Sequence, residues 1–230
     1  MKVASKRHRE IEKKIDRNKI YSVEEAVKLI KETATAKFDE SVDIAVNLAK
    51  APKQAEQQIR NTIVLPNGTG KKVKILVFAK GEKEKEALEA GADYVGAEEL
   101  IEKVKTGWID FDVVIATPDI MKEVGKLGKI LGTKGLMPNP KSGTVTFELK
   151  KAVNEFKAGK VEFRNNKEGV VHLSVGKVSF EEKKIIENVE AFIKFFLKLP
   201  ALATKGQYVK SMFLSSTMGV GLQIDFKKYL

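Results

Sequence analysis

Between residues 73 and 131 the chain alternates short, unbroken apolar runs with charged stretches of helical period. "VKILVFA" (73–79) and "FDVVIATP" (111–118) lack the polar alternation of a half-exposed strand, so each predicts a strand buried on both faces. "EKEKEALEAGA" (82–92), "AEELIEKVKTG" (97–107) and "DIMKEVGKLGKIL" (119–131) predict helices, the first two ending near Gly91 and Gly107. "DYVG" (93–96) predicts a short strand and "FELKKAVNEFKAGK" (147–160) a further helix. Strands interleaved with helices demand a parallel or mostly parallel sheet, Rossmann-like in layout.

The two ends have a different texture. Residues 3–16 and 22–32 predict helices, the second opened by the capping box Ser22-Val-Glu-Glu25. "ESVDIAVNLA" (40–49) puts Val42, Ile44, Val46 and Leu48 on one face, as a half-buried strand does. "QIRNTIVL" (58–65) predicts a second strand, and "KVEFRNNKEGVVHLSVG" (160–176) two strands about the turn "NNKEG", a hairpin. Residues 180–199 predict an amphipathic helix, followed by strands at 207–214 and 221–226. Neither flank alone has enough strands for a stable sheet. The economical expectation is a two-domain α+β and α/β chain. Residues 1–68 plus 159–230 form a split α+β domain with an antiparallel sheet, and residues 69–158 an inserted Rossmann-like domain. The crossings fall at "LPNGTGKK" (65–72) and "KAGK" (157–160), both polar and glycine-bearing.

Charge narrows the partners. The 230 residues carry 42 Lys+Arg against 31 Asp+Glu, a net +11. Residues 1–68 hold 14 basic and 10 acidic groups (+4), 69–158 hold 16 and 14 (+2), and 159–230 hold 12 and 7 (+5). The ends are the more basic parts, which points to a polyanion such as nucleic acid. The chain has no cysteine, so disulfides, thiolate nucleophiles and Cys-based metal sites are excluded. The start, "MKVASKRHREIEKK", lacks the apolar core of a signal peptide, and "IIENVEAFIKFFLKL" (185–199) is too short and too charged to span a bilayer. A soluble, cytoplasmic protein without membrane contact is expected.

Motifs for enzymatic chemistry are weak. "NGTGKK" (67–72) fails as a phosphate loop: Leu65 stands where the first glycine is required and Lys72 where Ser or Thr is required. The two histidines, His8 and His172, are not paired with each other or with cysteine, so neither a metal site nor a Ser-His-Asp triad is expected. A nucleotide-dependent enzyme using the Rossmann-like insert is the alternative from another class, and it lacks a phosphate loop. The run "GKLGKILGTKGLMPNPKSGTVTF" (125–147) has five glycines, and from Val124 to Phe147 there are four lysines and no acid. Its backbone suits close approach to a phosphate chain while Lys126, Lys129, Lys134 and Lys141 supply charge, a candidate secondary RNA or tRNA contact. A lysine-rich surface loop of no specific function explains the same composition.

Against this basic background, Ser211 to Gln223 carries no charged side chain. Ser215, Ser216 and Thr217 stand in a row, then Met218 and Gly219. Burying three consecutive hydroxyls would need many partners, so exposure is expected. Neutral donors and acceptors at short range match the 2′-hydroxyls and base edges of folded RNA, which lysine cannot read. Met218 would lie flat on a sugar or base, and Gly219 would let the backbone approach.

Several blocks, in order, carry a family resemblance: "TATAKFDESVDIAVNL" (33–48), "VLPNGTGK" (64–71), "GADYVG" (91–96), "DFDVVIATPD" (110–119), "LGTKGLMPNPKSGTV" (131–145), "KAGKVEFRNNKEG" (157–169) and "KGQYVKSMFLSSTMG" (205–219). With them the chain resembles, along nearly its full length, the bacterial form of the ribosomal large-subunit stalk protein family, L-one in words. The resemblance implies a split terminal domain with a Rossmann-like insertion, binding to a stalk segment of large-subunit rRNA, a place beside the tRNA exit site where deacylated tRNA leaves, and repression of the protein's own operon mRNA. It implies no cofactor and a monomer off the ribosome. Carried over residue by residue, the RNA-binding set is Lys37, Phe38, Ser41, Arg164, Lys167, His172, Ser211, Ser216, Thr217, Met218 and Gly219. Val220 stands where many relatives have proline, and Lys134 where arginine is common, which keeps charge and loses the bidentate fork. A general basic RNA chaperone is a third reading, distinguished by binding all RNAs alike with steep salt dependence.

Overall fold

The computed structural model describes residues 6–16, 19–49, 59–199 and 208–229. In chain order the elements are α1 (Lys6–Lys14), α2 (Val23–Thr33), β1 (Ser41–Leu48), β2 (Arg60–Val64), β3 (Ile75–Phe78), α3 (Glu82–Glu89), β4 (Tyr94–Gly96), α4 (Glu98–Lys105) and β5 (Val113–Ala116). Then come α5 (Met121–Val124), α6 (Gly128–Thr133), α7 (Leu149–Lys157), β6 (Lys160–Arg164), β7 (Val170–Lys177), α8 (Glu182–Leu197), β8 (Val209–Ser216) and β9 (Leu222–Ile224). The expected start of the first helix at residue 3 and the strand ends at Gln58 and Gln207 lie outside the described residues. By internal contacts the chain divides into two compact units, Met1–Gly70 with Phe163–Leu230, and Lys71–Glu162.

The first unit holds a four-stranded sheet in the order β7-β1-β8-β9, every neighbouring pair antiparallel. The alternation read in 40–49 is realised: Val42, Ile44, Val46 and Leu48 are buried, while Ser41, Asp43, Ala45 and Asn47 between them are half-buried. The buried face joins Val171, Leu173, Val175, Met212 and Leu214 to the apolar sides of α2 and α8. Ser22 caps α2 as its sequence requires, its hydroxyl accepting from the Glu25 N–H at 3.2 Å. Phe163, Phe192 and Phe196 pack ring on ring beneath α8, with centroids 5.5 to 5.9 Å apart.

The expected hairpin at 160–176 does not form. β6 pairs with β2, β7 pairs with β1, and only an isolated bridge, Asn165 to Val171, joins the two arms. The turn itself is built as its sequence dictates: the Asn166 carboxamide accepts from the N–H groups of Glu168 and Val170, and Gly169 takes φ 82°. Turn chemistry thus sets a reversal, but the buried side chains of each arm have different sheets to cover.

The second unit has three parallel strands in the order β4-β3-β5. Ile75, Leu76, Val77 and Phe78 are all fully buried, because alternate side chains enter two cores. Leu76 and Phe78 face α4 and the 121–133 helical segment, and Ile75 and Val77 face α3 and α7. The stretch 134–147 is a loop tied by its own polar groups: the Thr144 hydroxyl accepts from the Asn139 N–H at 2.7 Å, and the buried Ser142 hydroxyl donates to the Asn139 carbonyl at 3.0 Å.

Asn188 of α8 is the one fully buried amide of the first unit's described core. It accepts from the Asn67 N–H at 3.0 Å and donates to the carbonyls of Gly68 and Val175, each at 2.8 Å. Leucine in its place leaves the buried Val175 carbonyl and the half-buried Asn67 N–H and Gly68 carbonyl without this partner, each costly to strand. Asn188→Leu is expected to lower unfolding free energy by about 3 kcal/mol or more, read from urea titration; a change within experimental error would show that water replaces the amide at no cost.

Candidate nucleic-acid interface

The neutral stretch at 211–219 is only partly the exposed patch its composition leads one to expect. In β8 the sheet period alternates side chains between faces, so Met212, Leu214 and Ser216 all point to the core side. Ser216 is 3% exposed and Ser211 9%, Ser215 is half-buried, and of residues 211–219 Thr217 and Met218 are the exposed ones. The expectation that all three hydroxyls face solvent is therefore corrected by strand periodicity. The hydroxyls also do internal work: Thr217 Oγ1 accepts from the Ser41 N–H at 2.9 Å, and the Thr217 N–H donates to the Ser41 carbonyl at 3.0 Å. Gly219 is small for a reason inside the protein, since a Cβ there would lie 2.5 Å from the Ser216 hydroxyl oxygen.

What this construction presents is a turn with Met218 54% exposed, next to a loop with Phe38 55% exposed and Lys37 beside it. The two loops meet at Glu40, whose side chain is 1% exposed. Its Oε1 accepts from the Ala36 N–H at 3.1 Å, and its Oε2 from the Met218 N–H at 2.9 Å. Arg7 of α1 approaches the same carboxylate at 3.5 Å. Burial pushes the carboxyl up. The N–H of Met218, the Ser216 hydroxyl, the N–H of Ala36 and the Arg7 charge together outweigh it, holding Glu40 below its ordinary 4.5. The Ser216 oxygen is near enough to favour the charged form, yet it makes no hydrogen bond of ordinary geometry.

Ser41 continues the cluster into the sheet, its hydroxyl accepting from Lys177 at 2.9 Å. The face away from the helices then carries, in register, Ser174, Asp43 and Ser215 in one row, His172, Ala45 and Phe213 in the next, and Val170, Asn47 and the buried Ser211 in the third, polar groups interspersed with apolar ones. His172 is exposed on this face. Asp43 is held above its ordinary range by burial, against the Ser174 hydroxyl and the charges of Lys177 and His172. Arg164 and Lys167 are exposed at the 165–169 turn. That turn leads into the start of β7, opposite Asn47, and so stands about 20 Å along β1 from Ser41. The resemblance set is thus spread over two ends of one sheet and the open face between them. Lys126, Lys129, Lys134 and Lys141 belong to the second unit; all four are exposed and none is in an ion pair among the described residues.

Sequence reasoning missed Glu40, Arg7, Asp43 and Lys177. The order Lys37-Phe38-Asp39-Glu40 contains two adjacent acids, and nothing local tells which one is buried; Arg7 and Met218 are 211 positions apart. Among the described residues there is no cluster of three or more His, Asp or Glu placed to hold a metal ion, and no helix long and apolar enough to cross a membrane.

The sheet thus packs α2 and α8 on one face and leaves the other with Asp43, Asn47, His172, Ser174 and Ser215 interspersed with Ala45, Val170 and Phe213; with the net positive charge of the chain, this suits a polyanionic partner. The model of the Ribosomal protein L1p/L10e family matches residues 30–220. The chain belongs to this family, and is accordingly an RNA-binding structural protein of the large ribosomal subunit rather than a member of an enzyme family. The match begins inside α2, so α1 and its Arg7 lie outside the matched span.

The pH response of Glu40 follows from its direction of shift. The folded chain binds this proton less readily than the unfolded chain, so the carboxylate's contribution is fully present above 4.5 and is lost as pH falls through the lower folded value. Glu40→Gln is expected to cost about 2 kcal/mol at pH 7, the scale of a hydrogen bond to a charged group. The difference from the unaltered protein should shrink below pH 4.5. Urea midpoints at pH 7 and across the acid range measure it; a difference constant with pH would contradict a charged Glu40.

Proposed function

We propose that the protein binds the stalk segment of large-subunit rRNA beside the tRNA exit site, helps deacylated tRNA to leave, and represses its own operon mRNA through a mimic of the rRNA site. The domains are a split RNA-binding domain, residues 1–68 plus 159–230, and a Rossmann-like insert, residues 69–158. The two compact units lie within four residues of these bounds, and the three parallel strands with helices on both faces support the Rossmann-like reading. The protein acts in the cytoplasm on the ribosome, and is a monomer away from it.

The observation that carries the reading is the convergence of two exposed apolar side chains, Phe38 and Met218, on loops held by one buried carboxylate. Exposed large apolar groups at a preformed polar surface suit a ribose or base face. Lys37 supplies a phosphate contact beside them, His172 one on the open face of the sheet, and Arg164 and Lys167 further contacts at its far end, about 20 Å along β1. Ser41, Ser211, Ser216, Thr217 and Gly219 act mostly by shaping the surface, since their polar groups are buried, bonded internally or packed tightly. In the insert, Lys126, Lys129, Lys134 and Lys141 form the second contact, suited to further RNA or to the tRNA backbone.

Filter binding to a stalk-rRNA fragment at fixed salt, with circular dichroism as the folding control, tests this. Met218→Asp is expected to weaken binding about tenfold or more, by placing an unpaired carboxylate against the RNA, an effect of about 1.4 kcal/mol or more. Thr217→Ala releases Ser41 and costs about 1–3 kcal/mol of binding. Lys37→Met lowers the salt slope by about one. Equal affinity for unrelated structured RNA would favour a general RNA chaperone instead.

A further inference from the structure

Beside the proposed RNA-reading turn is a cavity of about 210 Å³, walled by Arg7, His8 and Ile11 of α1 and by Met218. We propose that this cavity receives one unpaired nucleotide of the bound RNA, its ring against Met218 and Ile11 and its phosphate on Arg7. The proposal rests on the RNA reading of the 217–219 turn and adds to it a site on the N-terminal helix.

Arg7 is poorly used by the protein itself. Its Nη2 reaches Glu40 Oε1 at 3.5 Å and the Met218 carbonyl at 3.4 Å, both at the long limit for such bonds. Its Nε is buried and has no hydrogen-bond partner. A guanidinium offers five donors in a rigid fork that fits a phosphate bidentately. Its side chain is 33% exposed, so an incoming phosphate can reach it. Glu40 keeps the N–H groups of Ala36 and Met218 when Arg7 turns away, and its carboxylate is not left bare.

Size and charge point the same way. Pockets for whole drug-sized ligands run to roughly 300–1,000 Å³, so this one takes a ring and not a complete cofactor. α1 opens with Lys6, Arg7, His8 and Arg9 and has no acid in its first turn; the acids nearby are Glu40, 3.5 Å from Arg7, and Glu12, 3.4 Å from His8 Nε2. The apolar wall is what separates RNA from an acidic peptide as occupant. Met218 is shared with the turn proposed to read RNA, so a nucleotide in the cavity continues a strand already on that surface.

The full-length chain and the stalk-rRNA fragment test this in two ways. Arg7→Met is expected to reduce affinity about tenfold and to lower the salt slope by about one, whereas Lys13→Met, at an exposed position of the same helix, changes affinity less than about twofold, the exposed-charge scale. A benzophenone amino acid replacing His8 should crosslink to a single unpaired nucleotide. Loss of affinity with an unchanged salt slope and no crosslink would overturn the proposal, because Arg7 would then only position the turn; unchanged affinity would overturn it outright. Failure of the RNA reading itself looks different: the unaltered protein would then show no preference for the stalk fragment over unrelated RNA.

Discussion

A single carboxylate, almost wholly out of water, organises the surface proposed to read RNA. A buried anion is tolerable only when its lone pairs are filled by well-placed donors. Glu40 finds them in the backbones of residue 36 and residue 218, two segments far apart in sequence. Its need for those donors is what draws the loop of Lys37 and Phe38 to the turn of Thr217 and Met218. The Ser41–Thr217 pair, with bonds in both directions, closes the same junction one residue further on.

That junction changes the meaning of the hydroxyl-rich segment. Taken as a string, Ser215-Ser216-Thr217 offers three polar groups to a partner. In the folded chain one is buried, one is half-buried, and the exposed one is engaged by Ser41. What remains for a partner is shape: a hydrogen-bonded turn, two exposed apolar side chains, Lys37 beside them, and further cations at the far end of the sheet. Preorganisation of this kind favours recognition, because ordering costs are met in folding rather than on binding.

Much of the architecture was legible in the residues. Unbroken apolar runs forecast strands buried on both faces, and β3 is buried at every position. Period-2 alternation forecast the inward face of β1, and the Ser22 cap marked the start of α2. These signals are local, resting on spacing within a few residues. The expected hairpin at 160–176 shows the limit of such signals. "NNKEG" does make the turn, but pairing depends on which sheet edge each arm can complete, and β2 and β1 are both remote in sequence from the arms they bind. The candidate site divides likewise: Lys37, Phe38, Thr217 and Met218 stood out by type and resemblance, whereas Glu40 and Arg7 did not.

The sequence by itself therefore determined the elements, their inward faces, the excess of positive charge and the family to which the chain belongs, all carried by short-range periodicity, composition and ordered motifs. Only the tertiary structure decided which acid is buried, which hydroxyls face water and which cation is left with idle donors. Those outcomes depend on desolvation and hydrogen bonding between segments up to 211 residues apart, and no local spacing encodes the partner that a buried polar group will find.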